Sequence, residues 1–271
     1  MSSQPPNPDI DRLSTLAALV LLSYGMVRVI DLPTISYDLS ALGVVIPVTL
    51  NTRSVMLALA AALAVVGADW LAASHPRAPS GAGAYARWIL PGLAAIGIGS
   101  LLTRLPEGGP LWIGLGLAAA LLMAVFVAEY ITIDREDPRR NLAAMGLEAL
   151  SYLLLLEFAF SVRVLEWRAV FAVPALFAAS GAIAWRLLRL RLPDSRSWLF
   201  ATTVGWGIGQ LAWALHYLPI PPLRGALLLL LSFYLAMAFV VAVLRGQPLA
   251  RRLLEYGVIS AMGLIAILIL T

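Results

Sequence analysis

The sequence predicts an all-α fold, a polytopic transmembrane helix bundle of about nine spans with a short external segment between spans one and two. Three observations predict it. Hydrophobic residues make up 61% of the 271 positions and charged residues 13%, at a mean hydropathy of +0.89. A soluble domain of this length has no way to keep so much apolar surface from water. The apolar residues gather in nine long runs. The basic residues, all 19 of them arginine, fall mainly between those runs.

Continuous runs call for helices, because a lipid-exposed backbone must satisfy its own hydrogen bonds. Barrel strands would instead alternate polar and apolar over about ten residues. Residues 1–12 form a tail expected in the cytoplasm. Asp9 and Asp11 stand where a cleaved export signal is basic, so the first span, 13–30, is expected to be retained. Residues 31–52 read as an external cap or re-entrant segment. The apolar stretch 39–50 inside it measures only about 18 Å as a helix, and Val44, Val45, Ile46, Val48 and Thr49 around Pro47 favour extended backbone.

The second span is 55–72, followed by a Pro/Gly/Ser-rich connector over 74–86 that reads as flexible. The third span, 88–105, and the fourth, 111–133, are separated by Pro106-Glu107-Gly108-Gly109-Pro110. Residues 134–140 are a solvated charged loop before the fifth span, 142–162. The sixth and seventh spans are 169–188 and 198–218. Prolines 219, 221 and 222 then break the chain before the eighth, 226–244, and the ninth, 253–270. Residues 13–271 thus read as one multi-span domain.

Alternating these spans across a bilayer puts 13 arginines on the side of the N-terminus and 6 on the other. The excess assigns the N-terminal side to the cytoplasm and leaves the C-terminus outside. Trp70, Trp88, Trp185 and Trp198 fall at cytoplasmic span ends and Trp112 and Trp167 at external ends, as an aromatic belt requires. Only Trp206 and Trp213 lie deep within a span. With the arginines accounted for by topology and lipid headgroups, no nucleic-acid partner is expected.

The absence of cysteine removes thiolate chemistry, disulfides and cysteine-held metals, and the absence of lysine removes Schiff bases. No zinc-protease helix, P-loop, nucleophile elbow or dinucleotide-binding turn occurs. No catalytic residue, metal site or cofactor is therefore assigned. His75 and His216 fall on opposite sides of the bilayer, which excludes their joint ligation of one haem or chlorophyll.

Ionisable and polar groups inside spans are expensive there and mark candidate sites. Asp69 and Glu148 lie toward cytoplasmic span ends, with room to pair with loop arginines. Glu157 falls roughly opposite Glu148 around the same helix, so the two form no acid/base pair, and Arg163 stands near enough in sequence to partner it. In the seventh span Thr202, Trp206, Gln210, Trp213 and Tyr217 share an arc of about 80°. Beside them run Gly205, Gly209 and Ala212, a small-residue face suited to close helix approach. Glu148, Glu157, Gln210, Trp206, Trp213 and Asp69 are the candidate ligand-binding or pathway residues.

Gly67-Ala68-Asp69-Trp70 with Ser74-His75-Pro76, then Trp88-Ile89-Leu90-Pro91-Gly92-Leu93, form a set with Arg163-Val164-Leu165-Glu166-Trp167-Arg168, Phe171-Ala172-Val173-Pro174, Trp213-Ala214-Leu215-His216-Tyr217-Leu218-Pro219 and Leu254-Glu255-Tyr256. Together they resemble a bacterial polytopic membrane protein family known only as a domain of unknown function. The resemblance implies a multi-pass protein of the bacterial inner membrane and carries over no activity or site. The expectation is a non-enzymatic membrane subunit or scaffold whose partners are lipids and other membrane subunits. The alternatives are a transporter using the intramembrane carboxylates and a membrane-embedded lipid-modifying enzyme.

Overall fold

A computed structural model describes residues 8–41, 44–78, 82–192 and 197–270. The chain divides into two compact units, Met1–Ala144 and Met145–Thr271. Most of the expected tail, residues 1–7, lies outside the described residues.

The N-terminal unit holds α1 (Ile10–Val29), a hairpin of β1 (Ile35–Ala41) and β2 (Val44–Leu50), α2 (Thr52–Ala73), the short α3 (Ala82–Tyr85), α4 (Ile89–Leu102) and α5 (Gly109–Ile131). α6 (Arg140–Val164) crosses the unit boundary. Each start has a local cause. The Asp9 carboxylate accepts from the backbone N–H groups of Asp11 and Arg12 at the head of α1. Asn51 and Ser54 form a reciprocal capping box on α2. Gly108, at φ 102°, makes the turn that Pro110 converts into the first turn of α5.

The β-branched run expected to be extended is the second strand of an antiparallel pair, in register from Ile35↔Leu50 to Ala41↔Val44. Positions 42–43 of the 39–50 stretch lie outside the described residues. The segment leading into the hairpin is tied to α2 where the Leu32 N–H donates to Thr52 Oγ1 at 2.7 Å. The connector expected to be flexible carries α3, whose Tyr85 ring meets Trp88 edge-on at 4.7 Å. α4 is shorter than its apolar run: after Leu102 the bonding tightens to i→i−3 turns, with the Arg104 N–H donating to the Leu101 carbonyl and the Leu105 N–H to the Leu102 carbonyl.

In this unit α1 and α4 flank α2, and α5 packs on both. Small residues set the spacing. An added Cβ at Gly67 would lie 2.1 Å from Leu16 Cδ2, and one at Gly99 would lie 2.6 Å from Tyr24 Cε1. The buried Tyr24 hydroxyl donates to the Ala95 carbonyl at 2.6 Å and ties α1 to α4.

At one end of this unit the turn after α2 meets the loop after α5. His75 is buried, with its Nδ1 accepting from the Arg77 N–H at 3.0 Å and its ring edge-on to Tyr130 at 4.8 Å. Arg77 bridges Asp134 and Glu136 at 2.5 and 2.9 Å, and Arg139 pairs with the buried Asp137 at 3.0 Å. The loop expected to be charged and solvated does keep Arg77 and Glu136 exposed, and these ion pairs organise it. Burial pushes the His75 pKa below its ordinary value, against the opposing pull of Asp134. The backbone N–H of Glu136, then Arg77, hold Asp134 down, and Arg139 holds Asp137 down.

All three folded-state values are depressed, so the folded state binds fewer protons, and stability present at neutral pH is lost on acidification. The loss begins near the ordinary histidine value of about 6.5 and deepens through the carboxylate range. Thermal unfolding followed by tryptophan fluorescence should show a falling midpoint below that pH. His75→Gln should flatten the part above about pH 5; an unchanged or rising midpoint would refute the linkage.

The C-terminal unit continues through α6 into α7 (Ala169–Arg191), α8 (Ser197–His216), α9 (Pro222–Leu244) and α10 (Leu249–Leu270). Its buried centre is built from Leu155, Ile183, Leu187, Leu229, Phe233 and Met237. Among the described residues, six helices are long and apolar enough to cross a membrane: α1, α2, α5, α6, α7 and α9.

Candidate functional site

The candidate residues divide between the units. Asp69 belongs to the N-terminal one, near the end of α2, where its carboxylate accepts from the Trp88 indole N–H at 3.2 Å. It is exposed at the rim of a small cavity that Arg87 and Trp88 also line.

Glu148, Glu157, Trp206, Gln210 and Trp213 belong to the C-terminal unit. Glu148 extends from α6 to the guanidinium of Arg191 in the last turn of α7, a charge-assisted contact with both side chains partly buried. One turn along α6, the Tyr152 ring packs against Phe233 at 5.8 Å and Tyr234 at 6.0 Å on α9. Sequence reasoning placed a loop arginine beside Glu148 only in general terms. Arg191 and the aromatic group beneath it were missed, because a contact across 43 residues leaves no local signal.

Glu157 accepts from the Ser161 hydroxyl at 3.0 Å, one turn away on α6. Arg163, expected beside Glu157, instead donates to the carbonyls of Leu215 at 3.2 Å and Ile220 at 2.9 Å. It thereby satisfies backbone acceptors at the C-terminal end of α8, where a cation also meets the negative end of the helix dipole. Gly225 makes room for it: a Cβ there would stand 2.6 Å from Arg163 Nε.

α8 has two faces. Gly205 and Gly209 turn toward α7. An added Cβ at Gly205 would come within 2.8 Å of the Phe177 carbonyl oxygen and 3.0 Å of Gly181 Cα, so the two backbones nearly touch. Thr202, Trp206, Gln210, Trp213 and Tyr217 lie on the outer arc and are all exposed, Trp206 at 63% and Tyr217 at 71%. The Trp213 indole N–H donates to the Tyr217 hydroxyl at 3.3 Å, and Trp206 meets Phe177 edge-on at 6.4 Å. The small-residue face and the aromatic face were both legible as arcs, but which one faced inward was not.

Helical rise places Gln210 about 9 Å from the C-terminal end of α8. A primary amide carries two donors and an acceptor, and an amide buried in a protein without partners costs about 1–3 kcal/mol. The arrangement is therefore an aromatic strip with a hydrogen-bonding group set into it on an otherwise apolar helix.

No curated protein and no protein of solved structure matches the chain. One family does, over residues 32–270, described as a protein of unknown function. The match takes in the hairpin and every helix from α2 onward, including the segments whose motifs carried the resemblance. On that coverage, the chain belongs to the DUF5656 family.

Proposed function

We propose that this protein is a non-enzymatic, multi-pass scaffold of the bacterial inner membrane that associates with a second copy of itself through the outer face of α8. The observation that carries the proposal is the exposed Gln210 amide between Trp206 and Trp213. Acyl chains offer an amide no hydrogen bond. A second α8 offers the complementary group, because an amide both donates and accepts. Two copies inserted the same way are related by a twofold axis along the membrane normal, which sets Gln210 against Gln210.

The six long apolar helices support membrane insertion. We extend these to nine spans by adding α8, α10 and α4, the last with its flanking turns, and place the N-terminus in the cytoplasm on the arginine asymmetry. The partners of Glu148, Glu157 and Asp69 favour a structural role for these groups over a transport pathway.

The cysteine-free chain makes the test direct. With Trp213→Cys in native membranes, oxidation should yield a species of twice the chain mass, whereas Gly207→Cys, on another arc of α8, should not. Adding Gln210→Leu should lower the crosslinked fraction about fivefold, the equivalent of one interhelical hydrogen bond of about 1 kcal/mol. No crosslink at Trp213→Cys, or an equal one at Gly207→Cys, overturns the interface. Orientation is tested separately: Arg135→Cys should react with impermeant maleimide only from the cytoplasm and Arg168→Cys only from outside.

A further inference from the structure

The N-terminal unit holds a second, larger cavity, apart from the one beside Asp69. About 600 Å³ opens between the C-terminal half of α1, the end of α4 and the start of α5, within the range of small-ligand sites. Its wall is apolar, with Leu22, Met26, Leu102 and Leu115 facing in. Two features create it. The 14 residues of α4 reach only about 21 Å, so the helix stops at Leu102, beside the cavity. Gly25 contributes no side chain, and a Cβ built there meets nothing within 4 Å.

At the mouth stands Arg28, in the last turn of α1. Its guanidinium donates to the Leu105 carbonyl at 2.8 Å and pairs with Glu107 at 3.2 Å. The Glu107 side chain is 82% exposed, so this ion pair is weak and readily exchanged. Arg53, at the start of α2, donates to the Ser100 carbonyl at 3.5 Å, and the exposed Arg104 follows α4. Three arginines therefore gather at this end of the unit, against the carboxylates of Asp31 and Glu107.

We propose that this cavity binds an anionic phospholipid, with one acyl chain between α1, α4 and α5 and the phosphate on the Arg28 guanidinium in place of Glu107. An apolar wall gives free phosphate no hold. A guanidinium gives an anionic headgroup a two-point contact that a zwitterionic lipid balances with its own cation.

The test uses the full chain, delipidated in neutral detergent and titrated with dioleoyl phosphatidylglycerol or dioleoyl phosphatidylcholine, with retention read by native mass spectrometry. The wild type should retain phosphatidylglycerol at an about fivefold lower lipid fraction, the preference one interfacial arginine confers. Arg28→Gln should abolish that preference. Gly25→Leu adds a side chain at the cavity wall, where a Cβ meets nothing within 4 Å, and should lower retention of both lipids by about tenfold or more, given the several methylenes displaced. Leu115→Trp fills it from α5 should Gly25→Leu fail to fold. Equal retention of the two lipids by the wild type, or full retention by the cavity-filled variants, overturns the proposal. So does displacement of phosphatidylglycerol by inorganic phosphate alone, which would mark a site for the anion without the chain.

Discussion

Gly205→Ile should destabilise the protein by about 3 kcal/mol, the upper part of the range for overpacking, and lower its unfolding midpoint by roughly 5–10 °C. The Cβ alone would stand 2.8 Å from the Phe177 carbonyl oxygen and 3.0 Å from Gly181 Cα. Both obstacles are backbone, so no rotamer change relieves them, and α7 and α8 must move apart along their whole contact. Gly207 sits half a turn away on the same helix with nothing within 4 Å of an added Cβ. Gly207→Ile makes the same change in helix propensity and should be close to neutral. A finer contrast lies within the crossing itself. A Cβ on Gly181 finds its nearest neighbour at 3.7 Å, an ordinary contact, so Gly181→Ala should be tolerated where Gly205→Ala is not. Equal midpoints for the two isoleucine variants in detergent would show that the helices do not meet at this point.

The Gly205 crossing also shows how far residue patterns reach. Angular arithmetic on 197–216 separates a glycine face from an aromatic and amide face, because helix periodicity is a local property of the chain. It does not rank them, because both compositions occur at helix interfaces. The ranking comes from α7, whose own Gly181 lets the backbones close and so draws the glycine face inward. Long apolar runs such as 111–133 and 169–188 were legible for the same local reason, and the β-branched run 44–49 read as extended and is a strand. α4 was overestimated, since Thr103, Arg104 and Leu105 were assigned to the end of its span but form turns, with the Arg104 and Leu105 N–H groups donating to the Leu101 and Leu102 carbonyls. The pairings among candidate residues were not legible. Arg191 and Arg163 look alike in sequence, as cations near span ends, yet one meets a carboxylate 43 residues away and the other closes a helix terminus.

The Glu148–Arg191 pair is where that distinction has the largest consequence. Arg191→Met should destabilise the protein by about 2 kcal/mol, and Glu148→Gln by clearly less. Removing one partner of a fully buried pair costs about 3–5 kcal/mol; here the side chains are 32% and 25% exposed, so solvent screening takes the effect below that range. The asymmetry follows from position. Arg191 closes α7, and its long side chain can extend to a headgroup or water once Glu148 is neutral. Glu148 lies about 12 Å of helical rise inside the start of α6. Without Arg191, its shorter side chain leaves a carboxylate beside Tyr152 and the aromatic rings of α9. The double variant Glu148→Gln with Arg191→Met should recover most of the loss, because it leaves neither charge without a partner, and the recovered energy measures the coupling. A proton pathway through Glu148 would give a different pattern, with both single variants similarly mild in stability and the double variant additive. Unfolding midpoints of the four proteins in one detergent decide between a structural ion pair and a carboxylate held for transport.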